Sequence, residues 1–201
     1  MTVIGLAGGS GSGKTTVSAL FAEHNIMPVN TDEIYHNLTS SKTPCLSSIA
    51  DEFGKGVLNE QGTLDRKALG AIVFADKEKL GRLNTISHYY VLNAVRDIIS
   101  DAERQGYSGV IVDAPLLFES GFDKECDIII VVTSAKGRRI ERIVARDGIS
   151  QSEAAKRISN QLSDEFVCAR ADFVITNNGT PSELKRQVEQ VVNTIKINKN
   201  K

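Results

Sequence analysis

Residues 8–15 read Gly8-Gly9-Ser10-Gly11-Ser12-Gly13-Lys14-Thr15, a complete G-x-x-x-x-G-K-[ST] pattern. Glycines let backbone N–H groups converge on phosphate oxygens, and a helix that follows points the positive end of its dipole at the same anion. The Lys14 ammonium can reach the β- and γ-phosphates, and the Thr15 hydroxyl is placed to ligate Mg²⁺. The chemistry these residues suit is the binding of a nucleoside triphosphate. The spacing Gly9-x-Gly11-x-Gly13 departs from the G-x-G-x-x-G of a dinucleotide-binding turn, and Lys14 stands where that turn needs a helix-packing residue.

Other side chains could act beside this loop. Asp32 follows an apolar run in Asn30-Thr31-Asp32-Glu33. As a carboxylate it could take the proton of a hydroxyl attacking a γ-phosphate, or it could serve as a helix N-cap. Asp113 ends Val110-Ile111-Val112-Asp113, the form of a Walker B strand. A hard oxygen there suits Mg²⁺ held through water, or a simple strand-end turn. Arg138, Arg142 and Arg146 recur at helical spacing and share a face, with Arg139 off to the side. The stripe reads as a polyphosphate-binding lid, or as a solvated face relieved by Glu141 and Asp147. Arg157 and Gln161 repeat the spacing in the next helix. His88, in Leu83-Asn84-Thr85-Ile86-Ser87-His88-Tyr89-Tyr90, is a half-buried structural histidine or a catalyst. Asn177-Asn178-Gly179 reads as a turn whose position also allows contact with a nucleotide base.

The elements that must carry these residues form an α/β pattern. Five short apolar runs, Val3–Ala7, Ile26–Asn30, Val110–Asp113, Ile128–Val132 and Phe173–Thr176, alternate with helix-like stretches. That argues for a parallel sheet covered on both faces. The expected first helix spans Lys14–Glu23, with Val17, Leu20 and Phe21 inward. About 80 residues without strand signal separate the second run from the third, too long for a simple crossover. Helices are expected there near Thr43–Phe53, Thr63–Phe74 and Lys77–Gln105, the last closed by Gly106. Ser150-Gln151-Ser152-Glu153 and Thr180-Pro181-Ser182-Glu183 are capping boxes. The final helix is expected to end near Ile195, before a fraying Lys/Asn-rich tail.

Composition narrows the class. A net charge of −1 over 201 residues gives no global basic field for nucleic acid and no polybasic patch for a membrane. No apolar run approaches the roughly 18 residues of a membrane span, and no signal-peptide pattern opens the chain. Cys45, Cys126 and Cys168 show neither metal spacing nor a disulfide framework, so a cytoplasmic location is expected. Trp is absent, which disfavours a stacking surface for single strands.

Further motifs appear in order: Asn30-Thr31-Asp32-Glu33-Ile34, Gly62-Thr63-Leu64-Asp65-Arg66, Leu83-Asn84-x-Ile86-x-His88, and Asp113-x-Pro115-Leu116-Leu117-Phe118-Glu119-x-Gly121. After them come Arg142-x-x-x-Arg146-Asp147, Arg157-x-x-x-Gln161 and Ala171-Asp172-Phe173-Val174-Ile175-x-Asn177. Together with the phosphate loop, the set resembles the dephospho-CoA kinase family over roughly residues 2–190. The resemblance implies a three-layer P-loop NTPase fold: a kinase core of five parallel strands over 1–32 and 106–201, a helical substrate-binding insertion over 33–105, and a helical lid over about 136–162. It implies ATP and Mg²⁺, with transfer of the γ-phosphate to the ribose 3′-hydroxyl of dephospho-CoA, the last step of coenzyme A synthesis. Residue by residue, it assigns catalysis to Asp32, Lys14, Arg142 and Arg146. It assigns ATP to Gly9, Ser10, Gly11, Ser12, Gly13, Lys14, Thr15, Thr16 and Asn177. The acceptor falls to Asp32, His88, Pro115, Leu116, Leu117, Phe118 and Glu119, and the metal to Thr15 and Asp113. The partners implied are these two small molecules alone, on a monomer or weak homo-oligomer.

The chain departs from the family pattern at three places. Asn30 stands where the family carries a first acid, Tyr89 where a proline follows the histidine, and Ala7 where a threonine precedes the glycines. Another nucleoside or nucleotide kinase would share the core and differ within 33–105. A GTPase switch would need Asn-Lys-x-Asp, which the sequence lacks, and the Asp51-x-x-Gly54 match lies inside the insertion. A binding module without catalysis would not need the intact Lys14, Thr15 and Asp32.

Overall fold

The computed structural model describes residues 1–199. The chain divides into two compact units, Met1–Val29 with Asp101–Lys201, and Asn30–Ser100. The first unit is built on a five-stranded sheet in the order β2-β3-β1-β4-β5. The strands are β1 (Thr2–Ala7), β2 (Ile26–Asn30), β3 (Gly109–Asp113), β4 (Ile128–Thr133) and β5 (Phe173–Thr176). β1 pairs in parallel with β3 and with β4, and β4 in parallel with β5. Strand β1 is therefore central, and the loop that leaves it emerges at the middle of the sheet.

Alternation along the strands sorts side chains to two faces. Ile4, Leu6, Ile111, Ile130, Val132 and Ile175 pack with Val17 and Phe21 of α1 (Lys14–Ala22) and with Leu184, Val188 and Val192 of α9 (Pro181–Lys199). Val110, Val112 and Val131 point to the opposite face and are also buried. Both faces are covered, which is why the strands read as unbroken apolar runs. The C-terminal helix continues past the expected end at Ile195 to Lys199, and the remainder of the expected tail lies outside the described residues.

Between β4 and β5 run α6 (Lys136–Asp147), α7 (Gln151–Ser159) and α8 (Asp164–Cys168). Ser150 and Glu153 form the expected capping box at the start of α7, and Thr180 with Glu183 form the second before α9. Asp147 joins α6 to α7: it accepts hydrogen bonds from Arg146 at 2.7 and 3.0 Å and pairs with Arg157. Helix α7 ends at Ser159, so Gln161 lies beyond it rather than on it, as its spacing from Arg157 had suggested.

The second unit is helical: α2 (Thr31–Thr39), α3 (Pro44–Phe53), α4 (Arg66–Val73) and α5 (Lys77–Arg104), which ends in the first unit. Its core gathers Cys45, Leu46, Ile49, Val57, Leu69 and Val73. Helix α2 was not among the expected helices. Its cap is Asn30, whose side chain accepts from the backbone N–H groups of Asp32 (2.9 Å) and Glu33 (3.3 Å). The capping role considered for Asp32 therefore belongs to the residue two positions before it. Helix α4 starts later than the expected Thr63, because Leu64 bridges Leu58 in extended backbone and Asp65 caps the helix. Helix α5 runs unbroken through Tyr89 and closes at Gly106, whose φ of 81° is left-handed.

Two measurements test this packing. Phe21 is fully buried in the sheet–helix core. Phe21→Ala should lower the unfolding free energy in a urea titration by about 3–5 kcal/mol, and a loss under about 1 kcal/mol would contradict that packing. Hydrogen bonding from Arg146, then from Arg157, holds the Asp147 carboxyl down at about 2, against an ordinary value of 3.8. A carboxyl whose folded pKa is depressed stabilises the fold above its unfolded pKa and loses that contribution as pH falls through the folded value. The α6–α7 junction should thus keep its full stabilisation above about pH 4 and lose it toward pH 2. In a carboxyl NMR titration, Arg146→Ala should move the Asp147 midpoint upward.

Candidate active site

The register of the strands brings the loop and its partners to one edge. Leu6 pairs with Asp113, Ala7 with Val131, and Thr133 with Thr176. The loop after Ala7, the carboxylate ending β3 and Asn177 after β5 therefore share the carboxyl edge, where open α/β sheets bind ligands. The Lys14 ammonium donates to the Gly8 carbonyl at 2.9 Å and lies 3.8 Å from Asp113 Oδ1. Gly8 takes one of the three donors of the ammonium.

The loop is gripped by its carbonyl oxygens. Arg139 Nε donates to the Ser10 carbonyl at 3.0 Å. Arg142 Nη1 donates to the carbonyls of Gly11 (3.1 Å) and Ser12 (3.3 Å), and Asn177 Nδ2 donates to that of Ser12 at 2.8 Å. In a planar trans peptide the next N–H points opposite the carbonyl. Holding the oxygens of Ser10 and Ser12 on the arginine side thus turns the N–H groups of Gly11 and Gly13 away from it. The first N–H groups of α1 add to these, since no side chain caps that helix. Two glycines are required by this grip. Gly11 has φ of 76°, and a Cβ there would lie 2.6 Å from the Arg139 carbonyl; Gly13 has φ of 102°, and its Cβ would collide with the Asn177 amide.

Arg139 was expected to lie off to the side. It is instead 4% exposed and central. Besides Ser10, it binds Asp164 at 3.1 Å and Gln161 Oε1 at 3.2 Å. Gln161 in turn accepts from Ser10 N–H (2.9 Å) and donates to Ser10 Oγ (3.0 Å). Ser134 accepts from Arg142 at 3.3 Å and donates to Asn178 Oδ1, which also caps the Ala135 N–H. Sequence reading set Arg139 to the side and passed over Ser134 and Asp164. A signal existed for the first: Arg139 lies one turn before the buried Ile143 on α6, so it falls on the inward face.

The remaining expected residues are distributed as follows. Arg142 grips the loop and also donates to the Asn177 carbonyl at 3.1 Å, while Arg146 is largely exposed and bound to Asp147. Pro115, Leu116, Phe118 and Glu119 line a cavity of about 120 Å³ beside Gly8, Gly9 and Gln161. Leu117 is buried against Gly5 and does not line it. Thr15 and Thr16 are exposed in the first turn of α1. Asp32 and His88 belong to the helical unit: Asp32 is exposed in the first turn of α2, and His88 is half-buried on α5. Asp51 lies on α3 and Gly54 closes that helix, so the D-x-x-G match follows no strand and has no switch context.

Thr15 and Asp113 offer hard oxygens of the kind Mg²⁺ takes. Among the described residues no group of three or more His, Cys, Asp or Glu could hold a metal alone. Such a donor set fits an ion bound chiefly through substrate phosphates.

The family described as dephospho-CoA kinase matches residues 2–183. A dephospho-CoA kinase of Fusobacterium nucleatum is 41% identical over 193 residues, covering 96% of this chain and 98% of the relative. A crystal structure of a Thermus thermophilus protein superposes with a TM-score of 0.82 at 30% identity, covering 96% and 97% of the two chains. A dephospho-CoA kinase from Campylobacter jejuni shares the fold, with a TM-score of 0.69 at 24% identity and 96% coverage of both chains. Their P-loop kinase architecture is the architecture found here, and the match spans both the gripped loop and the helical unit. The chain belongs to the dephospho-CoA kinase family.

Proposed function

We propose that this chain transfers the γ-phosphate of ATP to the ribose 3′-hydroxyl of dephospho-CoA, giving CoA and ADP, the final step of coenzyme A synthesis. The observation that carries the reading is the phosphate loop, held open at the sheet edge beside Lys14 and Asp113, in a chain of this family. The N–H groups of Gly11 and Gly13 and of the first turn of α1 receive the phosphates, and Lys14 neutralises charge that develops between the β- and γ-phosphates. Thr15 and Asp113 would hold Mg²⁺, which would supply further charge neutralisation. Phosphoryl transfer needs in-line positioning more than covalent help.

Asp32 acts as the base. With Asn30 holding the α2 cap, the Asp32 carboxylate is free of that duty and exposed. It takes the proton of the 3′-hydroxyl as that oxygen bonds to the γ-phosphorus and the bond to the β-phosphate oxygen breaks. Residues 33–105 serve as the acceptor-binding insertion, with His88 among its contacts. Pro115, Leu116, Phe118 and Glu119 meet the acceptor from the core, and residues 136–162 act as the lid. Arg142 and Arg146 face the polyphosphate as the lid closes, which requires Arg142 to exchange loop carbonyls for phosphate oxygens. Asn177 borders the nucleotide. The reaction runs in the cytoplasm, consistent with Cys45, Cys126 and Cys168 as free thiols.

The test is incubation of the chain with Mg-ATP and a panel of acceptors: dephospho-CoA, uridine, cytidine and nucleoside monophosphates. ADP should form with dephospho-CoA, and CoA should be the product. Phosphorylation of a nucleoside with none of dephospho-CoA would overturn the reading. Asp32→Asn should lower kcat by about 10²-fold or more while ATP affinity persists, because only the base is removed. Lys14→Ala should weaken both ATP binding and transfer.

A further inference from the structure

Gln161 joins the phosphate loop to the cavity beside it. It lies in the short connection between α7 and α8, where its N–H donates to the Ile158 carbonyl at 3.2 Å. Its side chain meets Ser10 at two points. Oε1 accepts from the Ser10 N–H at 2.9 Å, and Nε2 donates to Ser10 Oγ at 3.0 Å. Oε1 also accepts from Arg139 Nη2 at 3.2 Å. Both partners of Oε1 can only donate, so the amide has one orientation. The second proton of Nε2 has no partner among the described residues. The same residue lines the cavity of about 120 Å³ together with Pro115, Leu116, Phe118 and Glu119.

This arrangement makes the placement of Ser10 depend on that of Gln161. Arg139, Arg142 and Asn177 hold loop carbonyls, whereas Gln161 holds the Ser10 N–H from 151 positions away. The Ser10 carbonyl and the Gly11 N–H belong to one planar peptide. A change at Gln161 that loosens Ser10 therefore loosens an N–H that receives phosphate. The converse also holds. A group seated in the cavity packs against Gln161 and restricts it.

A long amide side chain gives up much rotamer freedom when it is held in one place. The ligand that binds first bears that ordering cost, and the second meets a site already ordered. We propose that Gln161 couples the two substrates: an acceptor group in the cavity beside Pro115 and Phe118 fixes Gln161, Gln161 fixes Ser10, and the loop is thereby arranged for the triphosphate. Gln161 is a positioning residue in this scheme, since it acts on the phosphates only through Ser10. The coupling rests on the dephospho-CoA reading given above and adds to it the residue through which each substrate favours the other.

Calorimetric titration with Mg²⁺ and a non-hydrolysable ATP analogue, without and with saturating dephospho-CoA, tests it. Dephospho-CoA should tighten binding of the analogue about five- to tenfold, and the analogue should tighten dephospho-CoA by the same factor, as linkage requires. In Gln161→Ala that factor should fall to about twofold or less. A loss of stability alone would leave the factor in place. If Gln161→Ala lowers the thermal unfolding midpoint, Ser10→Ala carries the comparison: it keeps the N–H bond, removes the hydroxyl contact and should lose part of the factor. In hydrogen exchange followed by NMR, dephospho-CoA alone should slow the Ser10 amide of the unsubstituted chain and leave that of Gln161→Ala unchanged. Independent binding of the two substrates would overturn the coupling, as would an undiminished factor in the folded variant. Failure of the unsubstituted chain to bind and phosphorylate dephospho-CoA would overturn the functional reading itself.

Discussion

The grip on three loop carbonyls, those of Ser10, Gly11 and Ser12, is the interaction on which the phosphate site depends. A glycine-rich loop has many accessible conformations, and ordering it costs backbone entropy. Donors from α6 and from the end of β5 select one of them. The N–H groups are then arranged before a ligand arrives, which is the condition for electrostatic stabilisation without reorganisation. The same grip explains why α6 lies against the loop and why Gly11 and Gly13 cannot carry a side chain.

The grip also distributes charge. Arg139 is nearly inaccessible, and a cation so placed is costly unless it is paired and hydrogen-bonded. Asp164 supplies the pairing and Gln161 with Ser10 the remaining acceptors. Among the described residues the hydrogen-bond partners of Arg142 are carbonyls and a hydroxyl, with no carboxylate. Its charge is therefore available to an anion in a way that the charge of Arg139 is not. Two neighbouring arginines on one helix thus differ in kind, one a strut and the other a reserve of positive potential.

Much of this was legible in the sequence, for identifiable reasons. The five strands were found because a parallel sheet buried on both faces demands unbroken apolar runs, as in Ile128–Val132. The capping boxes at Ser150 and Thr180 were found because their hydrogen bonds are local. What escaped depended on distance along the chain. Arg139 and Ser10 are 129 positions apart, and no periodicity links them. Helix α2 is only nine residues long and polar on average, so it gave little hydrophobic signal. Asp32 was left open as its cap because Asn30 and Asp32 are both good capping residues, and only the structure shows that the N–H groups meet the side-chain oxygen of Asn30. The contacts of Arg66 with His36 and Thr39 likewise lie across a helix pair and left no local signal.

Asn30 has a consequence for how the chain responds to acid. An ionised carboxylate at that position would cap α2 with a charge that acid removes. An amide has no such dependence. The start of α2 keeps its hydrogen bonds at any proton concentration the fold survives, so the cap adds no ionisation to the acidic limb of a rate profile.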